Sequence, residues 1–140
     1  MLSQQDVIPA LLAACPSFTR PWEEHLAWWG DDERGAFNDT GAFAQHVVES
    51  FSLGRVDEFP ALFAAIEDLL VNGDEDCHGL TIVGVLESIQ TIASNKPFGD
   101  DVFVRWLGPK SAQAWRELEV LWSGKQSLAD VIRAQRSRRP

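Results

Sequence analysis

Residues 72–95 read NGDEDCHGLTIVGVLESIQTIASN, and residues 107–122 read LGPKSAQAWRELEVLW. How the apolar run inside the first stretch is read decides the fold. Residues 80–86, LTIVGVL, are β-branched enough for a buried strand. The spacing favours a helix: Ile82, Val85, Leu86, Ile89, Ile92 and Ala93 keep a 3.6-residue period past the length of a strand. Asp74 or Asp76 stands where an N-cap is needed. One helix over 76–94 is therefore expected. Gly79 and Gly84 each cost roughly 1 kcal/mol against Ala in a helix interior, so both are expected where a neighbouring helix comes close.

The second stretch opens with Gly108, a stop for the preceding element, and Pro109, which favours the first position of a new helix. Trp115, Leu118, Leu121 and Trp122 fall on one face of it, with Gly124 as its stop.

Working outward, the same signals recur. Asp6 can cap VIPALLAAC, with Pro9 in the first turn and Pro16 at the end. Thr19 or Ser17 can start a helix that carries Phe18, Trp22, Leu26 and Trp29 at helical spacing and stops at Gly30. After the loop DDERGAFND, a helix starting near Asn38–Thr40 carries Phe43, Val47, Val48 and Phe51 and closes at Gly54. Asp57 can cap the next, whose buried face runs Phe59, Leu62, Phe63, Ile66, Leu69 and Leu70. Asp100 can cap DVFVRWL, and Ser127 a last helix, LADVIRAQ.

The predicted helices are 6–14, 19–29, 40–53, 58–72, 76–94, 101–107, 109–123 and 128–136. The fold class is all-α: one domain over 1–136 and a basic tail over 137–140, built of antiparallel helix pairs. The pairs suggest a short α-solenoid-like array more than a four-helix bundle, although no repeat period is visible.

Composition agrees with one ordinary globular domain: 140 residues, 45% apolar and 24% charged. The formal charge of −9 is polarised. Residues 1–103 hold 18 acids against four bases, whereas residues 104–140 hold three acids against eight bases. An acidic body argues against nucleic acid or an anionic membrane as its partner and is compatible with a basic protein. Solubility with intramolecular pairing is the plainer alternative. Cys15 and Cys77 are too few for a disulfide framework, and neither a signal peptide nor a membrane-spanning run is apparent. A cytoplasmic, reduced setting is expected.

Chemistry is hard to find. Residues 74–79, DEDCHG, begin like a calcium loop, but the twelfth position, which should be a bidentate Glu, is Val85. His25, His46, His78, Cys15 and Cys77 show no zinc spacing. Cys77 and His78 are adjacent, and neighbours on a helix diverge. No cofactor, metal site or catalytic set is expected. The alternative is an enzyme with an acidic cleft, using for instance His46 with Glu49, or His78 with Asp74, as a base.

The aromatics offer more. Trp28 points about 100° away from Trp29 on a helix, so Trp28 is the aromatic expected at the surface; packing under the next loop is the alternative. An exposed Trp beside acids has the makings of a binding hot spot for a cationic partner. The expected partner-binding residues are Trp28, Asp31, Asp32, Glu33 and Phe37, extended to the turn Asp74, Glu75 and Asp76.

Residues 57–123 resemble a family of small all-helical bacterial domains, some with HEAT-like helix pairs, found among polymorphic-toxin immunity proteins. The matching positions are Asp74–Asp76; Thr81, Gly84, Leu86 and Glu87; the turn Leu107-Gly108-Pro109; and Trp115, Leu118 and Trp122. They have the character of fold determinants. Glu87, a carboxylate within an apolar helix, is expected to pair with Arg105, Arg116 or a backbone N–H. The resemblance implies a binding protein that neutralises a basic toxin domain by direct contact; a stand-alone scaffold or regulatory protein is a further alternative.

Overall fold

The computed structural model describes residues 1–122. Within them the chain runs through α1 (Val7–Ala14), α2 (Thr19–Trp29), α3 (Ala36–Ser52), α4 (Phe59–Asn72), α5 (Glu75–Leu80), α6 (Ser88–Ser94) and α7 (109–122). Short 3₁₀ turns at Gln4–Asp6, Pro16–Phe18 and Asp101–Trp106 complete it. The expected helix 128–136, its cap Ser127, the stop at Gly124 and the tail 137–140 lie outside the described residues.

The ambiguous run is helical. Thr81–Glu87 is π-helical and joins α5 to α6 without a break, and no strand forms among the described residues. A π turn widens the helix by one residue per turn and marks a local constraint. Two contacts supply one here. The Thr81 hydroxyl donates to the Cys77 carbonyl (2.8 Å). Gly84 lies against Thr40 of α3, where a Cβ would come within 3.1 Å of the Thr40 Cβ. Close approach thus accounts for Gly84 as expected. It does not account for Gly79, which has open space around it, and nothing in the structure explains that glycine.

The core is one cluster. Val7 and Leu11 of α1, Phe43 and Val47 of α3, and Phe63 and Ile66 of α4 are fully buried. Val85 and Ile89 join them from the long helix, and Trp115 from α7. The α3 helix packs on α2, on the π segment and on α6, while α1 folds back onto α4. The N-terminus is clipped alongside: Leu2 N–H donates to the Asn72 carbonyl (3.0 Å), and Asp74 N–H donates to the Leu2 carbonyl (2.7 Å).

Several caps differ from expectation. Asp6 turns back to accept from the Ser3 N–H (2.8 Å) instead of capping α1. Glu58, not Asp57, precedes α4. Asp100 makes no side-chain cap, and α3 starts at Ala36, earlier than Asn38, because Asn38 Oδ1 takes the Gly35 N–H (2.8 Å). Asp74 does cap α5, accepting the Cys77 N–H (2.9 Å). On α7, Trp115 and Leu118 are buried, but Leu121 and Trp122 are 50% and 42% exposed. The buried stripe ends one turn earlier than the sequence pattern does.

One cap was invisible in the sequence. The Glu67 carboxylate of α4 accepts the Lys110 N–H (2.8 Å), the Ser111 N–H (2.9 Å) and the Ser111 hydroxyl (3.0 Å). It therefore satisfies the otherwise unpaired first turn of α7. Gly108 makes room: a Cβ there would stand 2.7 Å from the Glu67 Cδ.

Candidate functional site

The α2 helix builds an aromatic column. Its spacing stacks Trp22 on His25 (centroids 5.5 Å apart), His25 on the edge of Trp29 (6.3 Å), and Trp29 against Trp28 (5.4 Å). The inner end is pinned by Phe18, 6.0 Å from Trp22. The outer end is Trp28, 78% exposed. The 100° step read from the sequence thus placed it correctly, and the following loop does not cover it.

That loop is anchored at its far end. Arg34 Nε donates to Asp39 Oδ1 (2.8 Å), the same oxygen that meets His25 Nε2 (2.9 Å). The Arg34 guanidinium also lies 5.7 Å from the centre of the Trp22 ring. Asp39 thereby ties α2, α3 and the loop together. Gly30, with φ +56°, makes the turn that leaves α2. Between these anchors Asp31, Asp32 and Glu33 stand exposed, with no side-chain partner among the described residues. Phe37, 58% exposed, follows on the first turn of α3.

The second predicted turn borders a groove of about 860 Å³. Ile8, Leu12, Trp22 and Leu80 supply apolar walls. Arg34 and Asp39 line one part of it and Asp74 and Asp76 another. Glu75 and Asp76 are exposed, whereas Asp74 is half-buried and committed to its cap. Of the expected contact residues, only Asp74 and Asp76 line the groove; Trp28, Asp31, Asp32, Glu33 and Phe37 do not. The Asp39–Arg34–His25 knot was not foreseen, because its members sit five and fourteen residues apart, off any helical period.

A separate polar cluster joins the start of α2 to the start of α4. Glu58 accepts the Ser17 N–H (3.0 Å) and the Ser17 hydroxyl, and Ser17 Oγ lies 2.9 Å from His46 Nε2. The one hydroxyl proton is committed to Glu58, so the imidazole must donate to Ser17. Burial holds His46 below its ordinary value despite the pull of Glu58 and Glu49. Burial pushes the Glu58 carboxyl up, but the Ser17 hydrogen bonds outweigh it and hold the group below the ordinary carboxylate range. Cys15 lies 3.7 Å from Glu58 Oε2, and its thiol is pushed up to about 11, chiefly by burial. Such a thiol is a poor nucleophile at neutral pH.

The other imagined pairings do not form. His46 bonds Ser17 instead of Glu49. His78 Nδ1 meets the Leu70 carbonyl (3.2 Å), while the Asp74 carboxylate is on Cys77. Cys77 is buried with its thiol on the Leu69 carbonyl (3.7 Å), so it and His78 diverge as expected. Glu87 meets neither Arg105 nor Arg116 nor a backbone N–H among the described residues. No cluster of metal-ligating side chains occurs there either. No helix among the described residues is long and apolar enough to cross a membrane.

These features define a small single-domain all-α protein with an aromatic and acidic surface at one end of α2. The chain belongs to the DUF7674 family, a domain of unknown function, which matches residues 8–123 and so spans α1 through α7. No curated protein and no solved structure matches it.

Proposed function

We propose that the protein is a non-catalytic binding module that takes a basic protein partner, acting as an immunity protein that occludes a cationic toxin domain. The observation that carries this reading is Trp28, 78% exposed beside three carboxylates that have no partner among the described residues. A large apolar side chain left in water at the end of a fixed aromatic column is a contact in waiting. Asp31, Asp32 and Glu33 would steer a cationic surface toward it. Phe37 extends the apolar contact, and Glu75 and Asp76 extend the charge across the groove.

The rival reading, a small enzyme, has one observation in its favour: Ser17, His46 and Glu58 are in hydrogen-bond contact beside a cavity of about 470 Å³. The direction of the hydrogen bonds weighs against it. A serine nucleophile needs its proton delivered to the imidazole, and here the carboxylate takes it.

Co-expression with the product of the neighbouring reading frame tests the proposal. Rescue of growth from a toxic neighbour, with a complex that survives purification, is the expected result. Neither rescue nor complex would remove the immunity reading.

A further inference from the structure

The groove of about 860 Å³ is walled by α1 and α5, both of which pack on α4. Each helix gives it two residues four apart: Ile8 and Leu12 from α1, Asp76 and Leu80 from α5. Side chains at that spacing form one row along a helix, and such rows are what a neighbouring helix packs between. Trp22 of α2 extends the apolar wall. Its ring is held from within the chain, by Phe18 at 6.0 Å, His25 at 5.5 Å and the Arg34 guanidinium at 5.7 Å. That wall is therefore preformed, and an incoming segment need not order it.

The charge of the groove says what would fill it. Asp39, Asp74 and Asp76 line it against one base, Arg34. Arg34 is already committed to Asp39 and to the Trp22 ring. Asp76 is exposed and makes no ion pair among the described residues. Asp74 makes none either, its carboxylate resting on the Cys77 N–H. An apolar floor beside uncompensated carboxylates is complementary to a segment that is apolar on one side and cationic on the other. A second copy of this chain, with a formal charge of −9, would bring like charge instead.

We propose that the groove docks an amphipathic helix of the basic partner. The apolar row of that helix lies on Ile8, Leu12, Trp22 and Leu80, and its Lys or Arg side chains face Asp74 and Asp76. The inference rests on the basic-partner reading above and adds the kind of segment recognised and its seat, which Trp28 does not line. Apolar burial in the groove supplies the affinity, and the carboxylates at one part of it fix the sign of the segment and its direction.

Titration of the full chain with the peptide acetyl-LKKLLKLLKKLLKL-amide, which has one apolar and one cationic helical face, tests the groove. The methyl resonances of Ile8, Leu12 and Leu80 are followed, and saturable shifts are expected. A scrambled peptide of the same composition, without an apolar face, should bind about tenfold more weakly. Asp76→Lys, at an exposed position, should weaken binding about tenfold with the helical spectrum intact. Leu12→Gln should weaken it as much through the apolar wall. Trp28→Ala should bind the peptide as the wild type does. No saturable binding, equal binding of the scrambled peptide, or undiminished binding by Asp76→Lys or Leu12→Gln would overturn the proposal. Shifts of the same methyls on dilution of the protein alone would assign the groove to a second copy and overturn it. Shifts of those methyls in full-length K125Q/R133Q/R136Q/R138Q/R139Q, without peptide, would assign it to the chain's own basic residues and overturn it too. Peptide binding that leaves the groove methyls still and is lost in Trp28→Ala would overturn the groove while leaving the reading built on Trp28 in place. That reading fails separately, by the co-expression result above.

Discussion

Glu67 accepts both the backbone N–H and the hydroxyl of Ser111, 44 residues further on. This pair fixes how α7 enters the core, and through it where Trp115 is buried. Burial pushes the Glu67 carboxyl up, but the bonds from Ser111 and Lys110 outweigh it and hold the group below its ordinary value. Removing an N-terminal cap costs about 0.5–2 kcal/mol, so Glu67→Ala is expected to lower stability within that range. Gly108→Ala drives a Cβ into the same carboxylate and should cost about 1–3 kcal/mol. The two changes share one cause. A double-mutant cycle by urea denaturation should therefore show G108A costing clearly less in the E67A background, and strict additivity would break the link.

Gly84 and Gly79 lie five residues apart in one helix and should respond oppositely to the same change. Gly84→Ala crowds Thr40 and is expected to destabilise by about 1–3 kcal/mol. Gly79→Ala meets nothing and should stabilise by about 0.4–1 kcal/mol through helix propensity and loss of unfolded-state entropy. Thermal melts of the two variants check this, and a shared sign would contradict the packing described for the π segment.

Stability should fall on both sides of neutrality. His46 is held below its ordinary value in the fold, so unfolding takes up a proton and stability declines as pH drops below about 6.5. Glu58 and Glu67 are also held low, so their contribution is present above about 4.5 and is lost as pH falls through their lower folded values. Cys15 acts in the opposite direction. Its folded value of about 11 exceeds the ordinary thiol value of 9.0, so its contribution is complete below 9 and disappears as pH rises toward 11. Urea midpoints across pH should show an alkaline limb that flattens in Cys15→Ala and an acid limb that does not.

Local signals carried most of the fold. The turn at Gly30, the turn at Gly54 with φ +72° and Asp74 on Cys77 each act within a few residues, and each was readable in the chain. The period of Ile82 to Ala93 outweighed the β-branched composition of 80–86, and helix rotation put Trp28 outside. The long-range ties were not readable. Ser17 with Glu58, Glu67 with Ser111 and His25 with Asp39 depend on which helices meet, and no spacing within one segment encodes that. Asp6 failed for a local reason: it stands at the N-cap position of α1, but its carboxylate turns back to accept the Ser3 N–H three residues earlier. In the two acidic turns Asp31, Asp32, Glu33, Glu75 and Asp76 are exposed and Asp74 is half-buried, and the groove beside the second turn appears only once α1, α2 and α5 are assembled.

Trp28 and the loop Asp31–Glu33 are proposed as one contact surface for a basic partner. Association and dissociation rates with the protein encoded by the neighbouring frame, measured by interferometry at several salt concentrations, test it most directly. Charge acts mainly on encounter and a buried aromatic on residence time. The variant D31K/D32K/E33K should slow association and flatten its salt dependence. Trp28→Ala should leave association nearly unchanged and speed dissociation by about 30-fold, the equivalent of about 2 kcal/mol. Unchanged rates in both variants, with the helical spectrum intact, would contradict the account and reduce this end of α2 to solubilising surface.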